Sequence, residues 1–154
     1  MSIVKDAFKA INLNKVPEKI ALYEELCQNA EPIFELEGKK LEDACKEQSK
    51  NLLFFSMMLQ ECKTIEEAIR IKVEEIEGEL FKKYNENNQR ALGLRDIQYY
   101  IKGDPKYVAA YEILLEVVHQ KRQLESVVEA IVSMGWSLGH IVKLRVAQLE
   151  ATVL

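Results

Sequence analysis

The stretch "ILLEVVHQKRQLESVVEAIVSM", residues 113–134, decides the fold class. Ile113, Val117, Gln120, Leu124, Val127, Ile131 and Met134 step by 4, 3, 4, 3, 4 and 3. That is a heptad seam, the pattern of a helix packed on other helices, with one polar position in its middle. The same rhythm recurs upstream in Leu41, Cys45, Gln48, Leu52, Phe55, Leu59 and Cys62, again with a mid-seam glutamine. Two such seams imply helices of one bundle, and the two glutamines suggest matched polar layers.

Working outward, proline and glycine are scarce, at three and six in 154 residues, so helix is the default. Residues 1–35 read as two short helices, about Ile3–Leu13 and Glu18–Asn29, punctuated by Pro17 and Pro32. Thr64 followed by Glu67 has the form of a capping box. It predicts that a new helix starts there, with Ile65, Ile69, Val73, Ile76, Leu80 and Tyr84 on its apolar side. A polar break follows at 85–96, then a short helix over 94–102 ending at Gly103. Asp104-Pro105 opens the longest helix, since Asp caps free amides and Pro suits the first turn.

Gly135 reads as the left-handed residue that ends this helix. Ser137 then caps a final helix, and Trp136 and Ile141 bracket it as a hydrophobic staple. That helix carries Leu138, Ile141, Val142, Leu144 and Leu149, a broad apolar surface for a short terminal element. Either the chain's own core or another copy covers it. The expected fold is all-α: one domain over 1–154, a helical bundle with long coiled-coil-like helices and a C-terminal turn and oligomerisation helix over 133–154.

Composition limits the function. With 48% hydrophobic and 30% charged residues the chain has the makeup of a folded soluble protein. The uncharged run 51–60 is too short to span a bilayer, and the first ten residues are too charged for a signal peptide, so a cytoplasmic protein without a membrane role is expected. Cys27, Cys45 and Cys62 have no zinc or redox spacing and read as buried small hydrophobes. His119 and His140 are the only imidazoles, so no metal, cofactor or catalytic site is expected. There is no Gly-rich phosphate loop and no nucleophile beside a base.

Net charge of −4 argues against general attraction to nucleic acid but allows a local basic face. The region 81–111 provides one. Lys82, Lys83, Arg90, Arg95, Lys102 and Lys106 lie among Tyr84, Tyr99, Tyr100, Tyr107 and Tyr111. Glu86, Asp96, Asp104 and the adjacent Glu112 oppose them. Cations track a single-strand backbone and aromatic faces stack bases. Lys82, Lys83, Tyr84, Arg90, Arg95, Tyr99, Tyr100 and Lys102 are therefore the candidate DNA-binding residues.

Ser133, Gly135, Trp136, Leu138, His140, Ile141, Leu144 and Arg145 resemble the C-terminal signature of the UvsY-type recombination mediators of T-even-like phages. Residues 111–131 and 49–84 resemble the helices that precede it, while residues 1–35 have no counterpart. The resemblance implies a non-enzymatic, ring-like homo-oligomer joined through its C-terminal region. It implies single-stranded DNA binding and help for a RecA-like recombinase in displacing single-strand-binding protein. Trp136, Leu138, Ile141, Val142, Leu144 and Leu149 would form the oligomer contact. Glu79 and Phe81 stand where the family carries cations, with Lys82 and Lys83 beside them. The alternative is a helical adaptor or phage assembly protein without a nucleic-acid role.

Overall fold

The computed structural model describes residues 13–87 and 93–153, with side chains to Gln148. Every regular element among them is helical: a 3₁₀ turn Leu13–Lys15, α1 Val16–Gln28, a 3₁₀ turn Glu31–Phe34, α2 Leu41–Glu86, α3 Leu94–Gly103 and α4 Pro105–Val153. The all-α expectation holds. The first proposed helix, about Ile3–Leu13, falls almost wholly outside the described residues.

Two compact units share the long helices. Among the described residues, one joins those up to Ile20 with Cys62–Gln120, and the other joins Ala21–Glu61 with those from Lys121 onward. In the first unit, Ile76 and Leu80 of α2 pack with Ile97 and Ile101 of α3, and Phe81, Tyr84, Tyr107 and Ala110 close around them. Burying side chains of this size stabilises by about 1.5–3 kcal/mol each. Lys106 meets Glu79, and the Cys62 thiol reaches the Val117 carbonyl, so α2 and α4 run antiparallel here. In the second unit Ala44, Met134 and Leu138 form a core under Ile33, Phe34, Leu36, Leu41 and Cys45. The Gln48 Nε2 donates to the Ile131 carbonyl at 3.1 Å, again in antiparallel register. Gly38, at φ +76°, turns the chain into α2; it is the one described residue that needs the left-handed region.

Two predicted breaks are absent. α2 runs unbroken for 46 residues through Thr64, so the capping box does not operate. The seam carries straight across it: Leu59, Cys62, Ile65, Ile69, Val73 and Ile76 are all buried. Nothing in the packing ends the helix, and a box is effective only where a helix already starts.

α4 likewise runs for 49 residues through Gly135, which does not take a positive φ. Ser137 Oγ donates to the Ser133 carbonyl at 3.3 Å, a bond within a helix rather than a cap. Trp136 is 73% exposed and staples nothing. A lone helical glycine costs only about 1 kcal/mol, and continued burial at Met134 and Leu138 outweighs it. The missing Cβ of Gly135 leaves room for the Gln48 amide, the free end of a side chain whose nitrogen would stand 2.6 Å from a Cβ there.

Smaller differences follow from the same packing. Leu114 takes the seam position expected of Ile113, which is exposed. Gln48 and Gln120 fall in different units. Cys62 is buried, whereas Cys27 and Cys45 are only half-buried, and burial pushes the Cys27 thiol up. Asp104-Pro105 does start α4. The Asp104 carboxylate accepts the Lys106 amide at 2.9 Å, which is the expected cap.

Candidate nucleic-acid interface

α3 is the centre of the candidate site. Gly93 enters it in an extended conformation, and its carbonyl accepts the amides of Asp96 and Ile97. Ile97 and Ile101, four apart, bury one face completely. That fixes what the other face presents. Arg95, Tyr99 and Lys102 stand at i, i+4 and i+7, so they line one stripe, and all three are exposed. The Tyr99 ring is 68% accessible, with a cation one turn away on either side.

Tyr100 turns toward α2 instead. Its ring stacks on Tyr84 with centroids 5.6 Å apart and planes 23° from parallel. The Tyr84 hydroxyl donates to the second Asp104 oxygen at 2.8 Å. Lys83 lies 3.9 Å from that oxygen and 5.4 Å above the Tyr84 ring. Asp104 is thus held by a hydroxyl, a backbone amide and a cation. The Tyr84 hydrogen bond first, then the Lys106 amide, draws its carboxyl below the ordinary aspartate value. The same hydrogen bond pushes the Tyr84 phenol up.

Lys106 and Glu79 pair at 2.9 Å, and this contact holds the Glu79 carboxyl low. Tyr107 and Tyr111 stack at 5.8 Å, and burial raises the Tyr107 phenol.

The structure therefore sorts the candidates. Arg95, Tyr99 and Lys102 share one open face. Lys83, Tyr84 and Tyr100 gather around Asp104, where two of the three have a structural duty. Lys82 is exposed on α2, and Arg90 lies outside the described residues. The sequence marks Asp104 as a helix cap and as one of the acids opposing the cations, but not as the hub of the cluster. The Asp-Pro pair signals a fixed carboxylate, but no local signal names a partner 20 residues away.

The candidate oligomer residues divide as well. Leu138 is 3% exposed and belongs to the chain's own core, because it extends the seam four residues past Met134; it is not available to a partner. Ile141 is half-buried, while Trp136, Val142 and Leu144 are exposed. Val132 and Val146, also exposed, belong with them. The Leu149 side chain lies outside the described residues. α4 contains a stretch long and apolar enough to cross a membrane by length and composition alone, and 17% of it is buried. Among the described residues no group of three or more His, Cys, Asp or Glu could hold a metal ion.

No protein-family model, curated protein or solved structure matches this chain.

Proposed function

We propose that this protein is a non-enzymatic, single-stranded-DNA-binding factor of recombination that works as a homo-oligomer. It would help a RecA-like recombinase replace single-strand-binding protein, in the cytoplasm of a host cell. The observation that carries the DNA-binding part is the Arg95–Tyr99–Lys102 stripe. A base stacks on an exposed tyrosine while the cations one turn either side meet the flanking phosphates. The sequence pattern from Ser133 to Arg145 supports the recombination role, through its resemblance to the mediator family.

A single copy binds weakly, because the two cations of this stripe on an acidic chain hold little backbone. Several copies turn later contacts into intramolecular ones and raise avidity without a new contact type. The test is fluorescence anisotropy of a labelled oligonucleotide across a salt series. Arg95→Ala with Lys102→Ala flattens the log–log salt slope by about 1.4, at roughly 0.7 per phosphate contact on a single strand. Tyr99→Ala weakens binding by about 1–3 kcal/mol per stacked base and leaves the slope alone. Absence of binding at low salt by the assembled protein rejects the reading.

An adaptor without nucleic-acid binding is the second reading. The Glu79–Lys106 and Asp104–Lys83 contacts favour it, since they oppose two of the region's cations internally.

A further inference from the structure

The second unit carries two surfaces that complement one another. The first is a groove of about 380 Å3 where α1 and the following turn meet α2. Leu22, Leu26, Ile33, Phe54 and Phe55 line it, with Glu25 at its edge. The Phe54 ring stands edge-on to Phe55 and is partly open to solvent. Of the acids only Glu25 lines the groove, but the segment from Ala21 to Gly38 that supplies this side also carries Glu24, Glu31, Glu35 and Glu37 and no Lys or Arg.

The second surface is the end of α4. From Ala130 to Leu149 there is no acid, but there are Lys143 and Arg145. After Leu138 no described side chain is buried, although Val142, Leu144 and Val146 are apolar. The face that was buried at Ile131, Met134 and Leu138 continues as half-buried Ile141 and exposed Val142 and Arg145. Arg145 stands four residues from Ile141 and three from Val142, so all three share that face.

We propose that the end of α4 in one copy docks into this apolar groove of another, setting Ile141 and Val142 on Phe54 and Arg145 beside Glu25. A helix laid by its apolar face into an apolar groove is a recurrent mode of recognition, and opposite charges fix its register. The chain's own α4 cannot fill its own groove. Gln48 meets Ile131, and Ala44 lies with Met134 and Leu138, so α4 numbers rise as α2 numbers fall. Residues past Leu138 run beyond the Leu41 end of α2, away from Phe54. The contact is head-to-tail, and such contacts close into rings when the rotation permits. The inference rests on the self-association in the proposed function, and adds which surface receives the helix.

Charge swaps test it. Molar mass is measured by light scattering at micromolar concentration, with helicity checked by circular dichroism. The wild type is oligomeric. A tip variant, Lys143→Glu with Arg145→Glu, faces acid with acid. A groove variant, Glu24→Lys with Glu25→Lys, faces base with base. Each alone drops to monomer, with association weakened at least tenfold. Mixed, they associate again, because every tip finds a groove of opposite charge on the other variant. All four positions are exposed, so the fold tolerates the swaps. Val142→Ser with Leu144→Ser is the uncharged check and also dissociates the assembly.

A monomeric wild type, a groove variant of unchanged mass, or a mixture that stays monomeric overturns the proposal. Unchanged mass would mean that the helix ends meet each other and the groove serves a different protein. These outcomes are separate from loss of oligonucleotide binding at intact mass, which rejects the DNA reading alone.

Discussion

Replacing Gly135 by alanine tests the account of α4 most directly. In an unobstructed helix interior the change stabilises by about 0.8–1.0 kcal/mol. Here the new methyl would stand 2.6 Å from Gln48 Nε2 and 3.2 Å from its Cδ. The amide is the free end of a side chain, so it swings away, and its bond to the Ile131 carbonyl breaks. Such a bond contributes about 1 kcal/mol net, and the displaced amide finds water because Gln48 is only half-buried. Gain and loss cancel, and Gly135→Ala is near neutral in the wild type.

Once Gln48→Ala has removed the obstruction, the same substitution stabilises by its full value of about 1 kcal/mol, or roughly 2–4 °C in Tm for a chain of this length. The double-mutant cycle, read by thermal unfolding, therefore shows a coupling of about 1 kcal/mol. Equal effects in both backgrounds refute the contact. A loss of about 1 kcal/mol or more in both would restore a left-handed turn at this position.

Other outcomes follow from single residues. Leu124 has no exposed surface, so Leu124→Ala costs about 2–5 kcal/mol in chemical unfolding; a loss under 1 kcal/mol would misplace the core. The folded-state pKa of Asp104 is depressed, so its contribution is complete above the ordinary carboxylate range and disappears as pH falls through that range to the lowered value. Asp104→Asn removes this component, so its stability changes less with acid than the wild type's; superimposable acid limbs would contradict the Tyr84–Lys106 environment. Trp136 is the sole tryptophan and is exposed, so its emission in dilute protein is water-like and iodide quenches it. A blue, unquenched emission would show it packed.

The helical class was legible because it rests on periodicity, and the start of α4 because Asp-Pro acts locally. Leu41 to Cys62 and Val117 to Met134 lie on the core side where the seams placed them, to within one position at Ile113. The continuity of α2 and α4 was not legible. Thr64 and Gly135 carry real local signals for a break, but whether a helix breaks depends on what packs there. Gly135 is explained by a glutamine 87 positions away (135 − 48), a distance no local pattern spans. Gly38, which does take the left-handed region, stands just ahead of the Leu41 seam, and nothing in its neighbours distinguishes it from an ordinary loop glycine. In the candidate site the residue types were readable and their division was not. Tyr99 and Tyr100 are neighbours in sequence, yet Ile97 and Ile101 aim one at solvent and the other at Tyr84.

The antiparallel course of the long helices also sets an order of assembly. Tyr84 and Asp104 are 20 residues apart, Glu79 and Lys106 27, Cys62 and Val117 55, and Gln48 and Ile131 83. Closing the longest of these loops first would cost about 1.3 kcal/mol more chain entropy than closing the shortest. The helices therefore zip from α3 outward, each contact shortening the loop that the next must close. The ends at Leu41 and Leu138 join last and open first. Native-state hydrogen exchange reads this directly as amide protection that declines from the Tyr84 end toward Ala44, and uniform protection would refute it.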